Sequence, residues 1–299
     1  MVSLHIDTGA EMRGGQWQVL YLLRGLQAQG HTTRLVAPQR SELFQAAQAQ
    51  RLDARPLRMR SLLAASRGAD LIHAHDARAH TLGCLFLKPL IVSRRVAFPI
   101  RRGLLSRWKY RRASHFIAVS EFVRRMLLAS GVDAARISVV HDGVPIPPPA
   151  GSAHRDRILA IDSDDPGKGK QILEKAAALA DVPIAFSKNL GRDLPQAALF
   201  VYISDSEGLG SAALLAMAHG VPVIASAVGG LPEIVEDGCT GLLTSNQPEE
   251  VARQIRRLLE DHALAHRLAA RARAQVERDF SVEHMVNETL AVYENLGRI

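Results

Sequence analysis

The sequence predicts an α/β protein built as two doubly wound parallel sheets, and three observations predict it. Short apolar runs alternate with amphipathic stretches along most of the 299 residues. Four prolines among positions 145–149 interrupt that alternation near the middle. The length suffices for two domains of about 150 residues, each with its own core.

In the first half, Val2–Ile6 reads as a strand and is followed by a loop holding Gly14 and Gly15. Residues 16–29 read as a helix, with Val19, Leu20, Leu22, Leu23 and Leu26 near helical spacing and Gly30 as its stop. Strands are expected at 32–37, 70–74, 90–93, 115–119 and 137–141. Helices are expected near 61–66, 77–87, 104–112 and 121–130. The proline run then ends the pattern. The expected boundaries are a domain at 1–145, a linker at 146–155, a second domain at 156–280 and a last helix at 281–299.

The second half repeats the alternation. Strands are expected at 157–161, 182–186, 199–204, 221–225 and 241–244, and helices at 168–180 and 211–218. From 248 to about 296 the pattern is wholly helical. Residues 208–232 carry no Asp, Glu, Lys or Arg and imitate a membrane span. Gly210, Gly220, Pro222, Gly229 and Gly230 break the stretch, so a buried helix, a turn and a buried strand explain it better. Two doubly wound halves predict ligand binding at the ends of their strands, in a cleft between them.

Composition narrows the class. Apolar residues make up 47%, charged 22% and aromatic 5%, an ordinary globular balance. Cys84 and Cys239 have neither CxxC nor metal-ligand spacing, which excludes a zinc ribbon or disulfide framework and predicts a reducing compartment. His5 and Asp7 interrupt the apolar run a signal peptide needs, so a cytoplasmic location is expected. The net charge of +7 is uneven: up to Pro149 there are 22 basic and 9 acidic residues, or +13, and beyond it 15 and 21, or −6. The basic half suits an anionic partner, whether lipid, phosphorylated ligand or nucleic acid.

The segment carrying most chemistry runs Ser206-Glu-Gly-Leu-Gly-Ser-Ala-Ala-Leu-Leu-Ala-Met-Ala-His-Gly-Val-Pro-Val-Ile-Ala-Ser226. A strand ends, a glycine loop follows, and a helix begins near Ser211. That helix start offers free N–H groups and a positive dipole end, which suit a diphosphate or a sugar hydroxyl. Glu207 can accept hydrogen bonds from sugar hydroxyls. The same corner also serves plain turn geometry.

This segment resembles the signature of retaining GT-B-fold glycosyltransferases of family 4 (glycosyl transferases group 1), roughly E-G-F-G-x-x-x-x-E-A-M-A-x-G-x-P-V-I-A-S. Val228-Gly-Gly-Leu-Pro-Glu-Ile-Val-Glu-Asp-Gly238 and Thr240-Gly-Leu-Leu243 continue the match. Gly14-Gly15-Gln16 resembles the family's N-terminal glycine loop, and Asp70-Leu-Ile-His-Ala-His-Asp76 its central strand. Phe116–Glu121, Val140–Val144 and the last helix also fit, so the resemblance spans almost the whole chain.

It implies two Rossmann-like domains facing a central cleft, with the C-terminal helix crossing back to the N-terminal domain. It also implies transfer of a sugar from a UDP-, GDP- or ADP-sugar to a glycan or lipid-linked acceptor hydroxyl, with retention and no required cofactor. Glu207 matches the first signature glutamate, near the donor sugar. Gly208, Leu209, Gly210 and Ser211 match the backbone loop facing sugar and phosphate. Lys168 matches the lysine that neutralises the diphosphate. Gly14 and Gly15 match the loop closing over the donor–acceptor junction, and His75 a histidine near the reacting centre.

Three departures stand out. Leu215 occupies the place of the second signature glutamate, which holds the donor ribose. Ser163 replaces the phosphate-binding arginine, among Asp162, Asp164 and Asp165, carboxylates that repel a diphosphate unless other cations intervene. The segment between the strands at 182–186 and 199–204 is short for the family. These departures support an alternative reading: a GT-B-fold protein without donor turnover, acting as a binding or partner subunit.

Other features have a plainer reading beside a sharper one. His73 and His75 face one side of a strand, but the sequence shows no third metal ligand, so a cleft-lining role is expected and no metal site. Asp162-Ser-Asp-Asp165 fits a solvated turn better than a metal motif. The basic run contains Arg94, Arg95, Arg101, Arg102, Arg107, Lys109, Arg111 and Arg112, interleaved with Phe98, Leu104, Leu105, Trp108 and Tyr110. It predicts an acceptor- or lipid-facing surface, with Arg94, Arg95, Arg101 and Arg102 foremost, at the inner face of the cell membrane. No nucleic-acid motif accompanies it, so nucleic acid is not an expected partner.

Overall fold

A computed structural model gives the fold and describes residues 1–96, 103–148 and 155–297. The chain divides into two compact units. One is Met1–Gly143 together with the C-terminal segment from Val282, and the other is Val144–Ser281. Residues 149–154 of the expected linker, and Phe98, Arg101 and Arg102 of the basic run, lie outside the described residues.

The first unit holds strands β1 (Val2–Ile6), β2 (Thr32–Ala37), β3 (Asp53–Pro56), β4 (Leu71–Ala74), β5 (Leu90–Arg94), β6 (His115–Ala118) and β7 (Ile137–Val139). They form one sheet in the order β3-β2-β1-β4-β5-β6-β7, every neighbouring pair parallel. Its first helices are α1 (Gly14–Ala28), α2 (Glu42–Ala49), α3 (Met59–Ser66), α4 (Ala77–Gly83), α5 (Leu104–Arg112) and α6 (Glu121–Ala129). Chain order reverses between β1 and β4. That gap is the switch point at which doubly wound sheets bind ligands.

The second unit holds β8 (Arg157–Ile161), α7 (Lys170–Ala180), β9 (Ile184–Ser187), α8 (Leu190–Asp193), β10 (Ala197–Tyr202), α9 (Ser211–Ala218), β11 (Val223–Ser226), α10 (Leu231–Ile234), β12 (Leu242–Thr244), α11 (Pro248–Glu260) and α12 (His262–Asp279). Its sheet runs β12-β11-β10-β8-β9, again all parallel, with its switch point between β8 and β10. The last helix, α13 (Val282–Gly297), belongs to the first unit.

Each sheet buries apolar side chains under helices. In the first unit, Leu22 and Leu26 of α1 meet Met285, Val286 and Tyr293 of α13 over Leu71, Ile91, Ile117 and Val140. A Cβ on Gly25 would overlap the Val286 side chain, so glycine lets α1 and α13 approach closely. In the second unit, Leu173 and Ala176 of α7 join Val251, Ile255 and Leu258 of α11 over Ile158, Leu199, Val201 and Ile224. Each fully buried leucine or isoleucine contributes roughly 1.5–3 kcal/mol.

Four elements went unread in the sequence: α2, β3 and the single-turn helices α8 and α10. Helix α2 is only eight residues long, capped by Ser41, whose hydroxyl accepts from Phe44 N at 3.2 Å. Strand β3 is a four-residue sheet edge ending at Pro56 and burying no residue fully, so it lacks an apolar run. The charge-free stretch at 208–232 resolves into a loop, α9, β11 and α10. Among the described residues, no helix is long and apolar enough to cross a membrane.

Candidate functional site

In the second unit, three loops converge at the C-terminal ends of β8, β10 and β11. The loop after β8 carries Lys168, and the loop after β10 carries Glu207, one on each side of the switch point. Lys168 Nζ pairs with Glu207 Oε1. The Tyr202 hydroxyl donates to the same oxygen at 2.6 Å, and the ammonium lies 5.5 Å from the Tyr202 ring centroid. Burial, and next the Glu207 charge, hold the Tyr202 phenol well above its usual range, so it stays a donor. Tyr202 was absent from the sequence reading, because an aromatic near a strand end reads as core.

The loop after β11 fixes this corner. Gly230 N donates to Glu207 O at 3.1 Å. A Cβ on Gly229 would overlap the Glu207 carbonyl oxygen, and one on Gly230 that of Gly208. Gly210 (φ +107) caps α9 without a side-chain bond, leaving the N–H groups at Ser211 beside Glu207. Gly208 and Leu209 are buried, and Leu209 packs inward, so the loop offers backbone there rather than a side chain. Leu215 lies a turn further on, half-buried, its carbonyl accepting from His219 Nδ1 at 2.8 Å.

The acidic turn does not stand uncompensated. Asp162 pairs with Lys170 at 3.1 Å and with Lys188, at the end of β9, at 3.6 Å. The Lys170 hydrogen bond, first among several causes, holds its carboxyl below the usual range. Asp165 caps the turn by accepting from Gly167 N at 2.9 Å. Two lysines thus stand near the place of Ser163.

The first unit has its own polar cluster at its switch point. Ser3 and His5 of β1, His73 of β4, and Ser93 of β5 lie on the sheet face covered by α1 and α13, as do Asp7, His75 and Arg95 just beyond the strand ends. His5 Nδ1 lies 3.0 Å from His75 Nε2, and His5 Nε2 lies 2.9 Å from Ser3 Oγ. His73 bonds the Tyr293 hydroxyl at 2.6 Å and Ser93 Oγ at 2.7 Å. Arg95 donates to Asp142 at 3.2 Å and faces His75 Nδ1 at 3.4 Å. Burial pulls His5 down to about 3, and burial with the neighbouring charges keeps His73 and His75 well below the usual range. All three imidazoles are therefore neutral at pH 7.

Gly14 and Gly15 open α1 beside this cluster, and a Cβ on Gly15 would come 3.8 Å from Arg95 Cδ. Asp7 accepts from Gly9 N at 2.9 Å and Gln16 Nε2 at 3.2 Å; burial, and less strongly Asp76, raise its carboxyl. The sequence gives Asp7, Gln16 and Asp142 no role in a site; Gln16 reaches Asp7 across the loop from β1 to α1, and Asp142 joins through Arg95.

Two expectations need correction. Arg95 is not lipid-facing: strand alternation points it inward, and its side chain is only 15% exposed. The third imidazole that the sequence did not show is His5, which lies opposite His73 in register. The three rings offer nitrogens within 4.8 Å of one another, yet every ring nitrogen already has a hydrogen-bond partner.

With this geometry in place, comparison with known proteins becomes specific. The family description "Glycosyltransferase Family 4" matches residues 12–146, and "Glycosyl transferases group 1" matches residues 181–275. The chain belongs to the group 1 / family 4 glycosyltransferases. The first match covers the glycine loop, His73, His75 and Arg95; the second covers Tyr202, Glu207 and the α9 corner. A D-inositol 3-phosphate glycosyltransferase of Nocardioides sp. is 42% identical over 113 residues, 38% of this chain and 24% of that protein. An N-acetyl-alpha-D-glucosaminyl L-malate synthase of Bacillus anthracis is 35% identical over 111 residues, 37% of this chain and 29% of that protein. The chain thus aligns with less than a third of either relative. Anabaena HepE, solved in complex with UDP and glucose, superposes with a TM-score of 0.84 at 17% identity, covering 98% of this chain and 99% of that one. This likeness confirms the two-sheet GT-B architecture.

Proposed function

We propose that this chain transfers a sugar from a nucleotide-diphosphate sugar to an acceptor hydroxyl, with the donor on the second unit and the acceptor on the first. The observation carrying the reading is the convergence of Lys168 and Glu207 at the switch point, beside the open start of α9. A departing diphosphate needs positive charge and preorganised donors, and Lys168 with the α9 N–H groups supplies both. Glu207, oriented by Tyr202, accepts from hydroxyls of the donor sugar and fixes its angle. Lys170 and Lys188 offset the acidic turn, so the missing arginine leaves no bare negative patch. Retention follows in this reading from attack on the leaving-group side, with the departing phosphate helping to deprotonate the acceptor. UDP is the first nucleotide to try, since HepE was solved with it.

Thermal-shift measurements with UDP, GDP, ADP and their sugars test this reading. One nucleotide at about 100-fold its Kd should add about 2.7 kcal/mol of stability. A second reading, a GT-B-fold subunit without turnover, rests on Leu215 and Ser163 at donor positions. It would prevail if none of the nucleotides stabilised the folded chain.

The product in this reading is a cell-surface glycan or glycolipid, made at the inner membrane face. Support comes from α5, where no residue is buried and Leu104 and Leu105 are 85% and 83% exposed beside Trp108. Leu87, on the segment that Arg112 ties to α5, is fully exposed. Apolar side chains flanked by Arg107 and Arg111 suit an anionic bilayer surface. Leu104→Ser with Leu105→Ser should cut binding to phosphatidylglycerol vesicles by about tenfold or more. Equal sedimentation of variant and wild-type protein would remove α5 from the account.

A further inference from the structure

Helix α13 meets its sheet through a buried polar contact as well as apolar packing. The Tyr293 hydroxyl bonds His73 Nδ1 at 2.6 Å, and His73 Nε2 bonds Ser93 Oγ of β5 at 2.7 Å. Burial holds the Tyr293 phenol above its usual range, and among the described residues its hydroxyl has no other partner. The hydroxyl therefore donates, Nδ1 accepts, and the His73 proton sits on Nε2, facing Ser93. Met285, Val286 and Leu290 supply the apolar part of the same contact.

The His73 ring sits where a positive charge is poorly tolerated. It is 1% exposed, and the cavity beside it holds about 10 Å³, space for a single water. On β1, the His5 ring centroid lies 5.5 Å away, and on its own strand that of His75 lies 4.2 Å away. Beyond β5, Arg95 lines the same cavity; so do His141 and Asp142 after β7, Thr289 of α13, and Leu22 of α1. Both nearby carboxylates are engaged, Asp142 by Arg95 and Asp7 by Gly9 N and Gln16. A second proton on His73 would thus be buried among two imidazoles and a guanidinium, with almost no water.

We propose that His73 is a proton-operated clasp for α13: the neutral ring holds the helix down, and acidification releases it. The charge reaches water only when α13 lifts, so the lifted state takes up a proton that the docked state refuses. Burial, and less strongly His5 and Arg95, hold the docked ring well below its ordinary value of 6.5. Docking is therefore full above about pH 6.5 and weakens as the pH falls below it, by up to about tenfold per unit for each proton taken up. Burial raises the Asp7 and Asp142 carboxyls, whose titration acts in the opposite sense. Lifting α13 would bare the polar cluster at the first unit's switch point to water. The clasp does not depend on the proposed sugar transfer.

Hydrogen exchange of the full chain tests this, with α13 amides followed from about pH 7.5 to about 5 and corrected for intrinsic exchange. In wild type the opening constant of α13 should rise about tenfold or more per unit below about pH 6. His73→Asn keeps an acceptor near the Nδ1 position but cannot take the proton, so its slope should be shallower by about tenfold per unit. Tyr293→Phe keeps the ring packing and removes the hydroxyl. It should open more readily at every pH and retain the wild-type slope. Helices α7 and α11 of the second unit should not share that slope. A wild-type α13 whose opening is level with pH, or a His73→Asn slope as steep as wild type, overturns the proposal. So does a Tyr293→Phe variant that opens no more readily than wild type. An equal slope in α7 and α11 would show general acid unfolding and overturn it too.

Discussion

Replacing Glu207 by alanine is expected to lower sugar transfer by about 100-fold or more while leaving the chain folded. The carboxylate accepts from Tyr202 and pairs with Lys168, so it is the hub of the second unit's switch point. Its loss frees both partners to drift and, in the proposed function, removes the group that accepts from the donor sugar's hydroxyls. Lys168 is a quarter exposed and can turn to water. The cost in stability therefore falls mainly on the buried Tyr202 hydroxyl, about 1–3 kcal/mol. Glu207→Gln keeps the Tyr202 bond but not the charge and should fall between the two. Initial rates of nucleoside diphosphate release, with circular dichroism on the same samples, check this. A rate loss that disappears at lower temperature would show a structural role only.

A large effect on stability is expected at Gly230, where the clash is purely steric. A methyl group there would run into the carbonyl oxygen of Gly208 and crowd the Leu209 backbone. Neither can yield easily, because Gly230 N already donates to Glu207 O. Gly230→Ala should cost about 3 kcal/mol or more, since relief needs a backbone shift rather than a rotamer change. In a chain of this size that lowers Tm by roughly 6–12 °C. Gly220→Ala is the control: its left-handed φ strains an alanine, but only the flexible Arg273 side chain lies near the new methyl. It should cost about 1 kcal/mol. Equal Tm values for the two variants would show that the close contact between the loops is not what fixes the corner.

What the sequence disclosed and what it hid divide along physical lines. The strand–helix alternation, the glycine loops and the candidacy of Lys168 and Glu207 follow from local patterns and family resemblance, while the pairing of those two side chains does not. Tyr202 stayed hidden because its function depends on one hydroxyl at the end of a buried strand. His5 and the inward direction of Arg95 stayed hidden because their partners lie on neighbouring elements, and pairing register is not written in any one segment. The acidic turn looked hostile to phosphate only because Lys188, more than twenty residues away, joins it through the pairing of β8 with β9.

The most direct test of the donor site is a calorimetric titration of UDP, GDP and ADP into wild-type protein and Lys168→Met. Methionine keeps much of the side chain's volume and removes the charge. The reading of Lys168 as the diphosphate's counter-charge predicts that one nucleotide binds wild type and that the variant binds it about tenfold or more weakly, with its Tm little changed. Equal affinity in the two proteins would contradict it.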